Sequence, residues 1–63
     1  MCLSTVLLDS DSGQEKVMQD VAYIEAKDDG LLLIGLMGEQ KFIQGKLKSI
    51  DLIDRHEVIL ESP

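Results

Sequence analysis

One cysteine stands at the second position of the chain, in the opening Met1-Cys2-Leu3-Ser4. That placement sets a soft thiolate beside a free amine and an unencumbered first amide. Soft thiolates select soft or borderline transition metals, and a plane of nitrogen and sulfur donors suits Ni(II) and Cu(II). With Met1 retained, its amine, the deprotonated Cys2 amide nitrogen and the thiolate close fused chelate rings. With Met1 removed, Cys2 supplies amine and thiolate within a single ring. Two chains meeting on a twofold axis would then give a shared site with two sulfurs and nitrogens. Square-planar nitrogen–sulfur coordination favours Ni(II), although Cu(II) stands higher in the general affinity order. Cys2 and Met1 are therefore the candidate metal ligands. The competing reading makes Cys2 a small hydrophobe at the start of a strand, since free cysteine is often simply buried.

Other residues offer less chemistry. His56, the single histidine, is a candidate extra ligand or pH-sensitive group, or a surface residue capping a hairpin beside Arg55. Pairing it with Cys2 as base and nucleophile would require a rigid hydrogen bond and an oxyanion hole, which a cysteine at a chain terminus does not readily obtain. Asp9-x-Asp11-x-Gly13, with Asp20 further on, has the outline of a calcium loop. Its glycine falls one position early and the closing glutamate is missing, so a solvated turn is the expectation. Gly35, Gly38 and Gly45 are too scattered for a phosphate-cradling loop. No acid, base and nucleophile assemble, and the chain reads as a non-enzyme.

The elements that must position Cys2 are few. Sixty-three residues make one domain, 1–63, and a chain this short buries too little surface to be more than marginally stable alone. Disulfides, a structural metal or oligomerisation are the usual remedies. A single cysteine closes no intrachain bridge, and no CxxC or HxxxH pair marks a zinc site. A homodimer is the remedy left.

The charge is −6, from 12 acidic and 6 basic residues, and such a surface repels phosphate backbones. Aromatics amount to 3%, leaving Tyr23 and Phe42 for base stacking; nucleic acid is not expected as a partner. The first residues lack a basic region followed by an apolar run, and Leu31 to Met37 is far short of the roughly 18 residues of a membrane helix. No export signal, no membrane span and an unpaired thiol together predict a reducing cytoplasm.

Residues 2–8 alternate and are rich in β-formers, predicting a first strand. Asp9 to Gly13 gathers turn formers. Gln14 to Ala26 carries a second strand, in which Asp20 sits badly and predicts a bulge near Gln19-Asp20. Asp29-Gly30 between apolar runs is a strong hairpin signal. Leu31 to Met37 is continuously apolar, the mark of a strand covered on both sides, with the barrel core on one side and a partner subunit on the other. Gly38-Glu39 turns into a fourth strand, Gln40 to Gln44, with Phe42 inward. Lys46 to Ile53 fits a strand better than a helix, and His56 to Glu61 closes the set with Val58 and Leu60 on one face. The expectation is an all-β fold, a small antiparallel barrel or meander of five to six strands, SH3- or Sm-like and homodimeric.

The opening Met1-Cys2-Leu3-Ser4-Thr5-Val6, the total length, and Gly45-x-Leu47-x-x-Ile50-Asp51-Leu52 near the end resemble the CooT family. These are small nickel-binding accessory proteins linked to maturation of carbon monoxide dehydrogenase, and the resemblance covers nearly the whole chain. It implies a β-rich homodimer that binds Ni(II) through the cysteine at position 2, here Cys2, and serves a nickel-enzyme client such as carbon monoxide dehydrogenase. It implies no role for His56. The function expected is that of a cytoplasmic nickel carrier or sensor. The alternative is an RNA-binding or regulatory module using Tyr23, Phe42, Lys41, Lys46 and Lys48, a reading that the family's label of predicted RNA binding invites and the charge opposes.

Overall fold

The computed structural model describes residues 3–63. Six strands form one sheet: β1 (Ser4–Ser10), β2 (Gly13–Ala26), β3 (Gly30–Gly35), β4 (Gln40–Gln44), β5 (Lys46–Asp51) and β6 (Glu57–Glu61). Their order across the sheet is β4-β3-β2-β1-β6-β5. No helix among the described residues is long and apolar enough to cross a membrane.

Two features of the expected antiparallel barrel need correction. The sheet keeps two free edges, β4 and β5, and does not close. It is also not wholly antiparallel, because β6 lies parallel to β1. Gly45 alone separates β4 from β5, and one residue is too few for a hairpin, whose shortest common loop has two. The chain therefore turns away from β4, and β5 pairs with β6 instead. The resulting hairpin takes the free side of β1, with β6 running in the same direction.

Gly45 makes that corner at φ +145°, and a Cβ added there would collide with the carbonyl oxygen of Glu61. A residue without a side chain is required.

The sheet also bends along β2. Residues 13–21 of this long strand pair with β1, while Val21 to Ala26 pair with β3. Ser4 faces Val21 and Val6 faces Met18, so β2 gains an extra residue within Gln19-Asp20, and Asp20 takes φ 56°. The bulge that Asp20 predicts is present, and it re-aims the strand. Strands three places apart in the order thus meet in one core. Val6, Val21, Leu31, Leu33, Val58 and Leu60 are buried together, with Leu8, Val17, Met18, Ile24 and Ile43 packed against them.

Other expectations hold or fail by strand parity. Lys46 to Asp51 is a strand, and Val58 and Leu60 do share the buried face. Phe42 does not point inward. Ile43 pairs with the buried Leu31, and Phe42 with Leu32 on the opposite face, so alternation turns the ring outward, 48% exposed. With Phe42 and Ile43 adjacent, the sequence alone offers no choice between them.

The continuous apolar run is also shorter as a strand than expected. β3 stops at Gly35, and Leu36 and Met37 form a turn in which the Gly38 amide donates to the Gly35 carbonyl at 3.0 Å. Met37 is 86% exposed. Leu31 and Leu33 face the core while Leu32 and Ile34 are half-buried on the other side. The preceding hairpin turns through 27–29 rather than at Asp29-Gly30. Lys27 donates to the Gly30 carbonyl at 2.8 Å, and Gly30 belongs to β3. Its lack of a side chain accommodates the backbone of Ile43 and the ring of Phe42.

Candidate functional site

The chain enters the sheet at Ser4. Thr5 pairs with Glu57, and Glu57 with Asp51, so one row crosses three strands. Beyond that row lie Leu3 and the loop 52–56. The Thr5 amide donates to the His56 carbonyl at 3.0 Å, and Ser4 is 8% exposed between β2 and β6. The start of β1 is therefore held at the level of the loop.

The loop has its own order. Asp51 Oδ1 accepts the amides of Ile53 at 3.0 Å and Asp54 at 3.1 Å. Those backbone donors, Asp54 first and Ile53 next, hold the Asp51 carboxyl below its usual range. His56 returns the chain to β6 in the left-handed region, φ 54°, a conformation that histidine visits more readily than most residues. It is half-buried. Arg55 is exposed, 4.0 Å from Glu57.

Cys2 and Met1, the predicted metal ligands, lie outside the described residues. Among the described residues, no group of three or more His, Cys, Asp or Glu is placed to hold a metal ion. The calcium-loop outline dissolves. Asp9 sits on β1, where its carboxylate accepts from Lys48 Nζ at 2.8 Å and Gln14 Nε2 at 2.7 Å. Lys48 first, then Gln14, hold that carboxyl below its usual range. Asp20 lies in the β2 bulge, opposite the other end of β1.

The five residues of the RNA-binding alternative do not converge. Tyr23 and Phe42 share the outer face of β2 to β4, with Ile34 and Leu32 between them. Lys41 pairs with Leu33, whose side chain faces the core, and its ammonium donates to the Val17 carbonyl at 3.1 Å. Lys48 is engaged by Asp9, and Lys46 lies on the opposite edge strand. A basic stacking platform is not assembled.

The strand expected over 46–53 ends at Asp51, so Leu52 and Ile53 belong to the loop. Ile50 and Leu52 are half-exposed and Ile53 is 96% exposed. Ile53 stands immediately before Asp54-Arg55, and that abrupt polar flank was the available signal.

A family profile described as CO dehydrogenase accessory protein CooT matches residues 1–61. The chain belongs to the CooT family. Among relatives is an uncharacterized protein of Methanothermobacter thermautotrophicus, 38% identical over 50 residues, covering 79% of this chain and 77% of the relative. Another, from Methanocaldococcus jannaschii, is 38% identical over 47 residues, covering 75% and 81%. The crystal structure of a protein assigned as CooT from Carboxydothermus hydrogenoformans superposes with a TM-score of 0.87. The two chains are 27% identical, and 98% of each is covered. CooT proteins are accessory proteins, and membership accords with the absence of a catalytic constellation in the sequence. The profile match includes Met1 and Cys2.

Proposed function

We propose that this chain binds Ni(II) as a cargo ion and serves the maturation of carbon monoxide dehydrogenase, a nickel-enzyme client. The ion is held between two copies of the chain in the cytoplasm. The Cys2 thiolate supplies the soft donor, and the Met1 amine and Cys2 amide supply nitrogen, a donor set suited to square-planar Ni(II). The observation that carries this reading is the CooT family match over residues 1–61, which includes the single cysteine of the chain. Its support in the fold is the start of β1, where Ser4 pairs with β2 and Thr5 with β6.

Titrating Ni(II) into the untagged protein tests the reading, with thiolate-to-nickel charge-transfer absorption and the native mass of the complex as readouts. The expected complex holds one ion per two chains. Cys2→Ser is expected to lose the charge-transfer band and to weaken binding by about 100-fold or more, because a hard hydroxyl replaces the soft donor. Unchanged nickel affinity in Cys2→Ser overturns it.

A further inference from the structure

The sheet has two free edges, and they are not alike. Native proteins guard such edges with charges, prolines or bulges, because a bare edge accepts another strand. β5 is guarded: Lys46, Lys48 and Asp51 lie along it, and its pairing with β6 slips between Leu47 and Ser49. β4 is not. Gln40-Lys41-Phe42-Ile43-Gln44 holds no proline and no acid, and it pairs with β3 without a slip. Its one charge is drawn away from the edge, since Lys41 Nζ donates to the Val17 carbonyl at 3.1 Å.

The phase of the hydrogen bonds defines what this edge offers. The Gly35 amide donates to the Glu39 carbonyl at 2.8 Å and the Gly45 amide to the Asp29 carbonyl at 3.2 Å. Both bonds fall in the register that pairs Leu31 with Ile43. Bonded and non-bonded pairs alternate along an antiparallel ladder. Lys41 and Ile43 therefore bond to β3, while Gln40, Phe42 and Gln44 turn their N–H and C=O groups to the open side. The side chains of these three lie on the outer face, in the rows of Ile34, Leu32 and Gly30.

This outward set is symmetric about Phe42. A second copy, turned by a twofold through Phe42, sets Gln40 against Gln44 and Phe42 against Phe42. Each outward donor then meets an outward acceptor, as a self-complementary contact requires. Opposed side chains share a face, so the two rings lie side by side and the glutamine amides meet. The apolar face of Tyr23, Leu32, Ile34 and Phe42 runs unbroken across the axis. Repulsion is least here: the chain carries −6, yet β4 has no carboxylate. Glu25, on the same face, is already paired with Lys27 at 3.5 Å.

We infer that β4 pairs with β4 of a second copy, antiparallel about Phe42, joining two sheets edge to edge. The contact is independent of the proposed shared ion. It leaves the two β1 strands seven strand spacings apart, roughly 30 Å, and so does not bring the chain starts together. One short strand and its flanking face make a small, reversible interface, whose occupancy follows concentration.

Amide hydrogen exchange of the metal-free protein, followed by NMR from micromolar to millimolar concentration, tests this. The Gln40, Phe42 and Gln44 amides are expected to exchange more slowly as concentration rises, because pairing covers them. Phe42→Pro, which removes an N–H that β3 does not use, is expected to abolish the slowing and keep the β-sheet circular dichroism. Gln40→Glu with Gln44→Glu opposes like charges across the axis and should weaken pairing roughly 5-fold, whereas Gln40→Glu with Gln44→Lys should strengthen it. Ile53→Asp and Cys2→Ser keep the wild-type behaviour, and the nickel affinity of Cys2→Ser reports separately on the metal reading. Exchange at these three amides that ignores concentration overturns the inference. So do equal effects of the two charged pairs, or slowing that appears only when a client protein is added.

Discussion

Two apolar surfaces lie open on this small sheet, and they differ in kind. One is the outer face of β2 to β4, where Tyr23, Leu32, Ile34 and Phe42 adjoin. The other is the strip from Leu47 to Ile53 on β5 and its loop. The aromatic face lies on the side away from the core, and its members screen each other: Leu32 and Ile34 are half-buried between the rings, and Phe42 closes over Gly30. On the strip, Leu47 and Ile50 lie on the core side, yet they stay half-exposed. Fractional exposure does not separate the two, because Phe42 at 48% and Leu47 at 49% are alike. The side of the sheet does.

The largest effects expected are in the core that both surfaces adjoin. Leu33, beneath the aromatic face, and Leu60, beneath the strip, are both 0% exposed. Either replacement by alanine should cost about 2–5 kcal/mol in urea unfolding, through lost transfer energy and the cavity left behind. Similar losses at both sites mark one shared core; a loss confined to one would divide the sheet into two separately stable layers.

Gly45→Ala comes next, at roughly 2 kcal/mol, because it imposes backbone strain and a collision with Glu61 at the corner that joins the two layers. Thermal unfolding measures it, and an unchanged midpoint would mean that the corner yields easily. Phe42→Ser should cost about 1 kcal/mol or less and leave nickel binding alone, since half of the ring is already in water. A marked loss of nickel affinity in that variant would erase the distinction between the surfaces.

The smallest effect is electrostatic. The Asp9–Lys48 pair ties β1 to β5, with β6 between them, at the end of the sheet away from the loop. Lys48 and Gln14 lower the Asp9 carboxyl from its ordinary 3.8. Its contribution is therefore present above that value and lost as pH falls through the lower folded value. Asp9 raises Lys48 from 10.5, so that contribution is present below 10.5 and lost as pH rises through the higher folded value. Both groups are at the surface and screened by solvent, which keeps the effect slight. Asp9→Asn should flatten the acid limb of stability against pH; an unchanged limb assigns acid sensitivity to other carboxylates.

The all-β class, the six strand positions and the β2 bulge at Gln19-Asp20 were legible in the sequence. Turn formers, period-two alternation and one misplaced aspartate are local signals, and each acts within a few residues. The candidate site stands apart from these: it is proposed on the type and position of one residue, Cys2, which lies outside the described residues. Parity within an apolar pair was not legible: Phe42 and Ile43 are both fit to be buried, and only the pairing of Ile43 with Leu31 decides which one is. Nor was the open edge. Whether β5 would pair with β4 or with β6 depends on Gly45 being too short a link for a hairpin, and on β1 offering a free side formed some forty residues earlier. That long-range pairing puts Leu47 and Ile50 in rows of the core and leaves them half-exposed. Their composition marks them as interior residues, and only the tertiary structure puts them at the surface.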